Sequence, residues 1–143
     1  MTQLTTRETI ATILNTDTEL RALGLAEDSV FQADTMESPS MRPFVVVRWL
    51  QEQPGLGSVS RRPFDLWWYG EEGSYDTIEK LGYTALRILG AIEQRVTFDG
   101  RILQVHTQPR PGIPNVGRGD DLYDDGYKAL VIPFRCQAVA SGL

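Results

Sequence analysis

Phe64-Asp65-Leu66-Trp67-Trp68-Tyr69 is the stretch that decides how this chain must fold. Extended backbone sends successive side chains to opposite faces. Phe64, Leu66 and Trp68 therefore share one face, and Asp65, Trp67 and Tyr69 share the other. One face has to be core. Aromatic residues left on the second would mark a contact surface, since Trp and Tyr dominate interface hot spots, unless a helix covers each face and Trp67, Trp68 and Tyr69 are all core. Upstream, Pro43-Phe-Val-Val-Val-Arg-Trp-Leu50 holds four consecutive apolar residues. Such a run fits a strand covered on both faces, central in a sheet. Pro43 suits a first strand position, where its missing N–H costs little. The two segments pair as an antiparallel hairpin whose long tip, about 51–62, contains Pro54-Gly-Leu-Gly-Ser58. Trp49 joins whichever face is covered.

Helical periodicity flanks this pair. Thr6 to Leu14 reads as a helix capped by Thr5 or Thr6, with Ile10, Ile13 and Leu14 on one face. Asp17 caps a further turn through Leu20 and Leu23, and Gly24 stops it. Val30-Phe-Gln-Ala33 is a short strand, and Met36–Arg42 a polar linker. After Ser74, a capping residue, Ile78, Leu81, Ala85, Leu89, Ile92 and Val96 recur at spacings of three and four. That stripe predicts an amphipathic helix of about twenty residues. Gly82 and Gly90 lie inside it, where each costs about 1 kcal/mol against Ala. Close packing against a sheet or a neighbouring chain explains them. Val96-Thr-Phe98, an Asp99-Gly100 turn and Arg101–Thr107 then read as two strands, or the first as the frayed helix end running into a strand. Tyr127–Val139 is the last strand, in which Pro133 argues for an edge position or a bulge. The expectation is one α+β domain spanning 1–143. Its mostly antiparallel sheet has about five strands, with an N-terminal helix and one long amphipathic helix packed on it.

Composition narrows the function. The chain has 143 residues, 41% hydrophobic and 23% charged, with a formal net charge of −5. That is enough apolar material for a core and too little charge for wholesale disorder. An acidic balance disfavours electrostatic gripping of nucleic acid, though DNA can slide past such a surface. No segment reaches the roughly 18 apolar residues of a membrane span. Met1-Thr-Gln-Leu-Thr-Thr-Arg-Glu8 lacks the basic and apolar regions of a signal peptide, so a cytoplasmic product is expected.

The catalytic inventory is thin. His106 is the only histidine and lacks a sequence partner that would make it a general base. Cys136, the only cysteine, sits in an apolar strand, with Arg135 directed to the opposite face. Gly55-Leu-Gly57 is too short for a phosphate loop. Arg118-Gly119-Asp120 spells an adhesion tripeptide by coincidence. The remaining candidate is a polar stretch, about 109–128, longer than the 12–15 residues or so that a compact domain carries without use. Asp120, Asp121, Asp124 and Asp125 within it suggest a hard cation and a metal-dependent enzyme as one reading. The calcium-loop template fails: with Gly126 as its glycine, Tyr123 fills a ligand position and Ile132 replaces the closing Glu. A solvated acidic tip, or one that meets Lys or Arg on a partner, is the plainer reading.

The order Arg42-Pro-Phe-Val-Val-Val-Arg-Trp49, Arg62-Pro-Phe-Asp-Leu-Trp-Trp-Tyr69, the helix Tyr75–Gln94, and a Gly/Asp-rich loop ending Asp124-Asp-Gly-Tyr127 resembles the tail terminator proteins of long-tailed (siphovirus) bacteriophages of the actinobacterial type. The likeness covers about 42–139. It implies an α+β domain that assembles as a ring, usually a hexamer, on the end of the tail tube. The ring stops tube growth and joins tail to head. Its partners are other copies of itself, the tail tube protein and a neck or connector protein. DNA passes through the lumen without specific binding. It implies no cofactor, no metal and no catalytic residue, and a place in the virion tail after assembly in the host cytoplasm. Another neck or connector component, or a tube subunit, has a similar texture. The candidate assembly interface is Trp67, Tyr69, Arg118, Asp120, Asp121, Tyr123, Asp124 and Asp125. The excursions 51–62 and 109–128 suit arms that order on assembly. On that reading, Asn115–Asp121 can be removed without harm to folding.

Overall fold

The computed structural model describes residues 5–32, 42–51, 53–54, 59–71, 75–92, 95–96, 102–109, 111 and 116–141. It is an α+β domain with helices α1 (Thr6–Thr16), α2 (Thr18–Ala22) and α3 (Tyr75–Gly90). The strands are β1 (Val30–Phe31), β2 (Phe44–Trp49), β3 (Gln53–Pro54), β4 (Ser60–Gly70), β5 (Arg95–Val96), β6 (Ile102–His106), β7 (Gly117–Arg118), β8 (Leu122–Asp124) and β9 (Ala129–Ser141). One sheet runs β1-β2-β4-β9-β6-β5, with β3 on β4, and β7 and β8 on β9. Among the described residues only β1–β2 is parallel, and the other pairs are antiparallel.

The helices begin where local chemistry provides acceptors. Thr5 and Glu8 form a capping box at α1, and Asp17 accepts from the N–H groups of Glu19 and Leu20 at α2. The expected cap Ser74 lies outside the described residues, as does the Asp99-Gly100 turn. The long helix is shorter than its apolar stripe. It ends at Gly90, while Ile92 lies beyond it and Val96 belongs to β5.

The core forms where all three helices meet one sheet face. Ile10, Leu14, Leu20, Ile78, Leu81 and Leu89 pack with Val45, Val47, Phe64, Leu66, Trp68, Leu130, Ile132 and Phe134. The register Phe44↔Tyr69 to Trp49↔Phe64 matches the expected antiparallel pairing. Phe44, Val45, Val46 and Val47 are all buried, as a strand flanked by β1 and β4 requires. Trp49 packs against the helix-side core.

Three expectations need correction. Pro133 is neither at an edge nor in a bulge; it lies inside β9, opposite Trp67 of β4. A strand residue directs its N and O to the same side, and Pro133 O accepts from Gly119 N at 2.7 Å. The missing N–H therefore falls in the interval between β7 and β8, where no ladder bond is lost. The stretch 109–128 is not an uninterrupted loop, since β7 and β8 both pair with β9. Removing Asn115–Asp121 would strip β7 from the sheet, so that deletion is not neutral to the fold. Similarly, β4 starts at Ser60 rather than Phe64, and β3 pairs with Arg61 and Ser60 inside the expected hairpin tip.

Gly82 has a definite cause. A Cβ there would stand 2.1 Å from Phe134 Cε1 and 2.4 Å from Cζ, so α3 meets the sheet through a bare backbone. Helix propensity alone predicts that Gly82→Ala stabilises by about 1 kcal/mol. Overpacking against Phe134 reverses the sign, and a net loss of about 1–3 kcal/mol is expected in urea unfolding.

Candidate functional site

The sheet face away from the helices carries the candidate residues in cross-strand rows. Phe44, Tyr69, Val131 and Leu122 form one row, and Val46, Trp67 and Pro133 the next. Arg48, Asp65, Arg135 and Gly117 form a third. Alternation thus delivers Trp67 and Tyr69 to one face, as Phe64–Tyr69 implies.

Their environments differ. Tyr69 is completely buried. Its ring stacks on Phe44 at 4.7 Å and meets Tyr127 at 5.3 Å, and its hydroxyl accepts from Arg48 Nη2 at 2.9 Å. Phe44, Val46, Tyr69, Ala129 and Val131 make a second, smaller core. Tyr69 therefore holds this face together and presents no surface of its own. Trp67 is half-buried, with Arg48 lying over its ring at 4.3 Å from the centroid. Its Nε1 is buried and has no hydrogen-bond partner among the described residues.

Beside Trp67 lies an ion pair. Arg135 Nε donates to Asp65 Oδ1 at 2.7 Å, and Nη2 to Oδ2 at 3.0 Å. The Asp65 side chain is 11% exposed and that of Arg135 44%. The hydrogen bond to Asp65 outweighs burial and holds the guanidinium above its ordinary pKa. Sequence reading placed Asp65 on this face but missed the pair, because only the β4–β9 register puts Arg135 opposite it. With Trp67, Val116, Arg118 and Pro133, these two residues line a concavity of about 340 Å³.

The acidic residues lie along the far side of β9. Arg118 Nε donates to Glu79 Oε1 of α3 at 3.1 Å, and Nη2 bonds Asp121. Burial works against its charge, but Asp121 and Glu79 prevail and its pKa is raised. Asp124 Oδ1 accepts from Tyr127 N at 2.8 Å, closing the turn into β9. Asp120 and Asp125 are exposed. The four carboxylates thus have separate roles, and no group of three metal-ligating side chains occurs among the described residues. Between them, Leu122 and Tyr123 are 40% and 48% exposed. Tyr123, opposite Leu130, belongs to the helix side, and Leu122, opposite Val131, to the other. The structure therefore brings Trp67 and Arg118 to one concavity, buries Tyr69 in the sheet face, and leaves Asp120, Asp121, Tyr123, Asp124 and Asp125 along the margin.

Cys136 takes no part in either. Cys136 is fully buried in the helix-side core, and burial pushes its thiol far above the ordinary value. His106 sits half-buried opposite Gln137.

Two measurements check these assignments. A thiol reagent such as dithionitrobenzoate should leave native Cys136 unmodified and titrate one thiol after denaturation. Arg135→Met leaves the Asp65 carboxylate without its cation and should lower stability by about 1–3 kcal/mol in urea. Asp65→Asn, which keeps an acceptor, should cost less. Neither a protein-family model nor a curated protein matches the chain.

Proposed function

We propose that the protein is a structural component of a phage tail, a tail terminator that caps the tail tube as a ring and provides the head-joining surface. It acts by contact and steric blocking, with other copies of itself, the tube protein and a neck protein as partners. One observation carries this reading. Leu122 and Tyr123 stand exposed inside a frame of four aspartates, on a margin held in place by β9 and Arg118. An apolar pair in an acidic setting suits recognition of a partner with an apolar socket and a basic rim. The net charge of −5 suits a lumen past which DNA moves without sticking. The metal-enzyme reading draws no such support, because Asp121 is bound to Arg118 and Asp124 to the Tyr127 N–H.

Tail length in the virus that encodes the chain tests the proposal. Loss of a terminator gives overlong tails. Tails of normal length without heads would assign a connector instead, and the absence of tails a tube subunit. Tyr123→Asp should reproduce the overlong phenotype while leaving the thermal melt of the purified chain unchanged.

A further inference from the structure

We propose that the Asp120–Asp125 margin of one copy docks into the concavity beside Trp67 on a second copy, with Tyr123 as the inserted side chain. This rests on the reading of a self-assembling protein, and assigns its contact.

The two surfaces complement each other in shape, polarity and charge. Among the described residues the large apolar side chains left exposed are Tyr83, Leu122 and Tyr123, two of them adjacent. An exposed aromatic with an empty apolar-walled socket elsewhere on the same chain is the pattern of interface hot spots. The socket offers the Trp67 ring and the Pro133 ring as walls. At its floor the Asp65–Arg135 pair supplies a carboxylate acceptor and spare guanidinium donors.

Charge selects the same occupant. Among the residues that line the socket, Arg118 and Arg135 stand against one carboxylate, Asp65, a local balance of 2 − 1 = +1. The margin brings Asp120, Asp121, Asp124 and Asp125 around Tyr123, with Arg118 bound to one of them. Opposite charges face each other when the margin approaches the socket.

Tyr123 is on the helix side of its own sheet and the socket is on the other, so a chain cannot fill its own socket. The contact joins two different patches, and repetition of a head-to-tail contact closes a ring or propagates a filament.

Two variants test this by light scattering of the full-length chain. Tyr123→Ala removes the inserted ring from an exposed position. Val116→Glu places a carboxylate in the socket wall against the incoming aspartates. Each should weaken self-association by about tenfold or more, the scale of one lost anchor. Mixed together, they should form a one-to-one heterodimer and nothing larger, because one intact margin meets one intact socket once. If Val116→Glu lowers the melting temperature, Val116→Trp replaces it by filling the concavity. Variants that both associate like the wild type overturn the contact and leave self-assembly standing. Variants that stay apart when mixed overturn the head-to-tail pairing. A wild-type chain that is monomeric at every concentration overturns the contact, while tail length still decides the terminator reading independently.

Discussion

Everything in this fold is referred to one strand. Along β9, Leu130, Ile132, Phe134, Cys136 and Ala138 meet the helices, while Ala129, Val131, Pro133, Arg135 and Gln137 face away. β4 pairs with it along one side from Ser60 to Gly70, and β6, β7 and β8 follow one another along the other. Four strands thus take their register from a single neighbour. A slip of one residue would carry Phe134 to the helix-free face and Arg135 into the core. Gly82 pins that register from outside the sheet, because only a residue without Cβ lets α3 close over Phe134. The Asp65–Arg135 pair pins it from the opposite face.

Sequence patterns recovered what depends on local periodicity. The alternation of Phe64 to Tyr69 gave both faces correctly, and Phe44 to Val47 read as a doubly covered strand because its burial is continuous. The N-terminal caps are legible for the same reason: Thr5, one of the two residues expected there, and Asp17 act within a few residues. The end of α3 was not. Ile92 and Val96 keep the helical spacing by accident, since one packs beyond the helix and the other enters β5. A period of 3.6 sampled twice cannot distinguish those cases.

What failed in the reading of 109–128 has a different cause. Strands of two and three residues have no period to detect. Gly117-Arg118 and Leu122–Asp124 extend only because β9 offers free ladder positions beside them. Pro133 carried the decisive clue, and the edge-strand rule misdirected it. The same missing donor that excludes Pro from a continuous ladder is harmless where the neighbouring edge changes from one short strand to the next. The burial of Tyr69 was equally unreadable, as it depends on Phe44 and Tyr127, distant in sequence and joined only by the sheet.

This bears on the proposed assembly. A polar stretch that orders only on contact would lose conformational entropy at each docking step, and that loss would restrain early association. The part of it from Val116 to Lys128 instead stands in position already. Gly119 is bonded to Pro133, Arg118 ties α3 to Asp121, and Tyr75 donates to the Leu122 carbonyl at 2.9 Å. A preorganised margin contributes more of its contact energy to binding, so restraint on association has to come from elsewhere. Charge is the available source. If copies associate through the proposed contact, then at −5 per chain they would repel at a distance and attract where the aspartates of the margin meet arginine, which would favour the correct approach over the many incorrect ones. Long-range repulsion between like-charged copies weakens as salt is added, so ionic strength acts on the encounter more than on the docked contact.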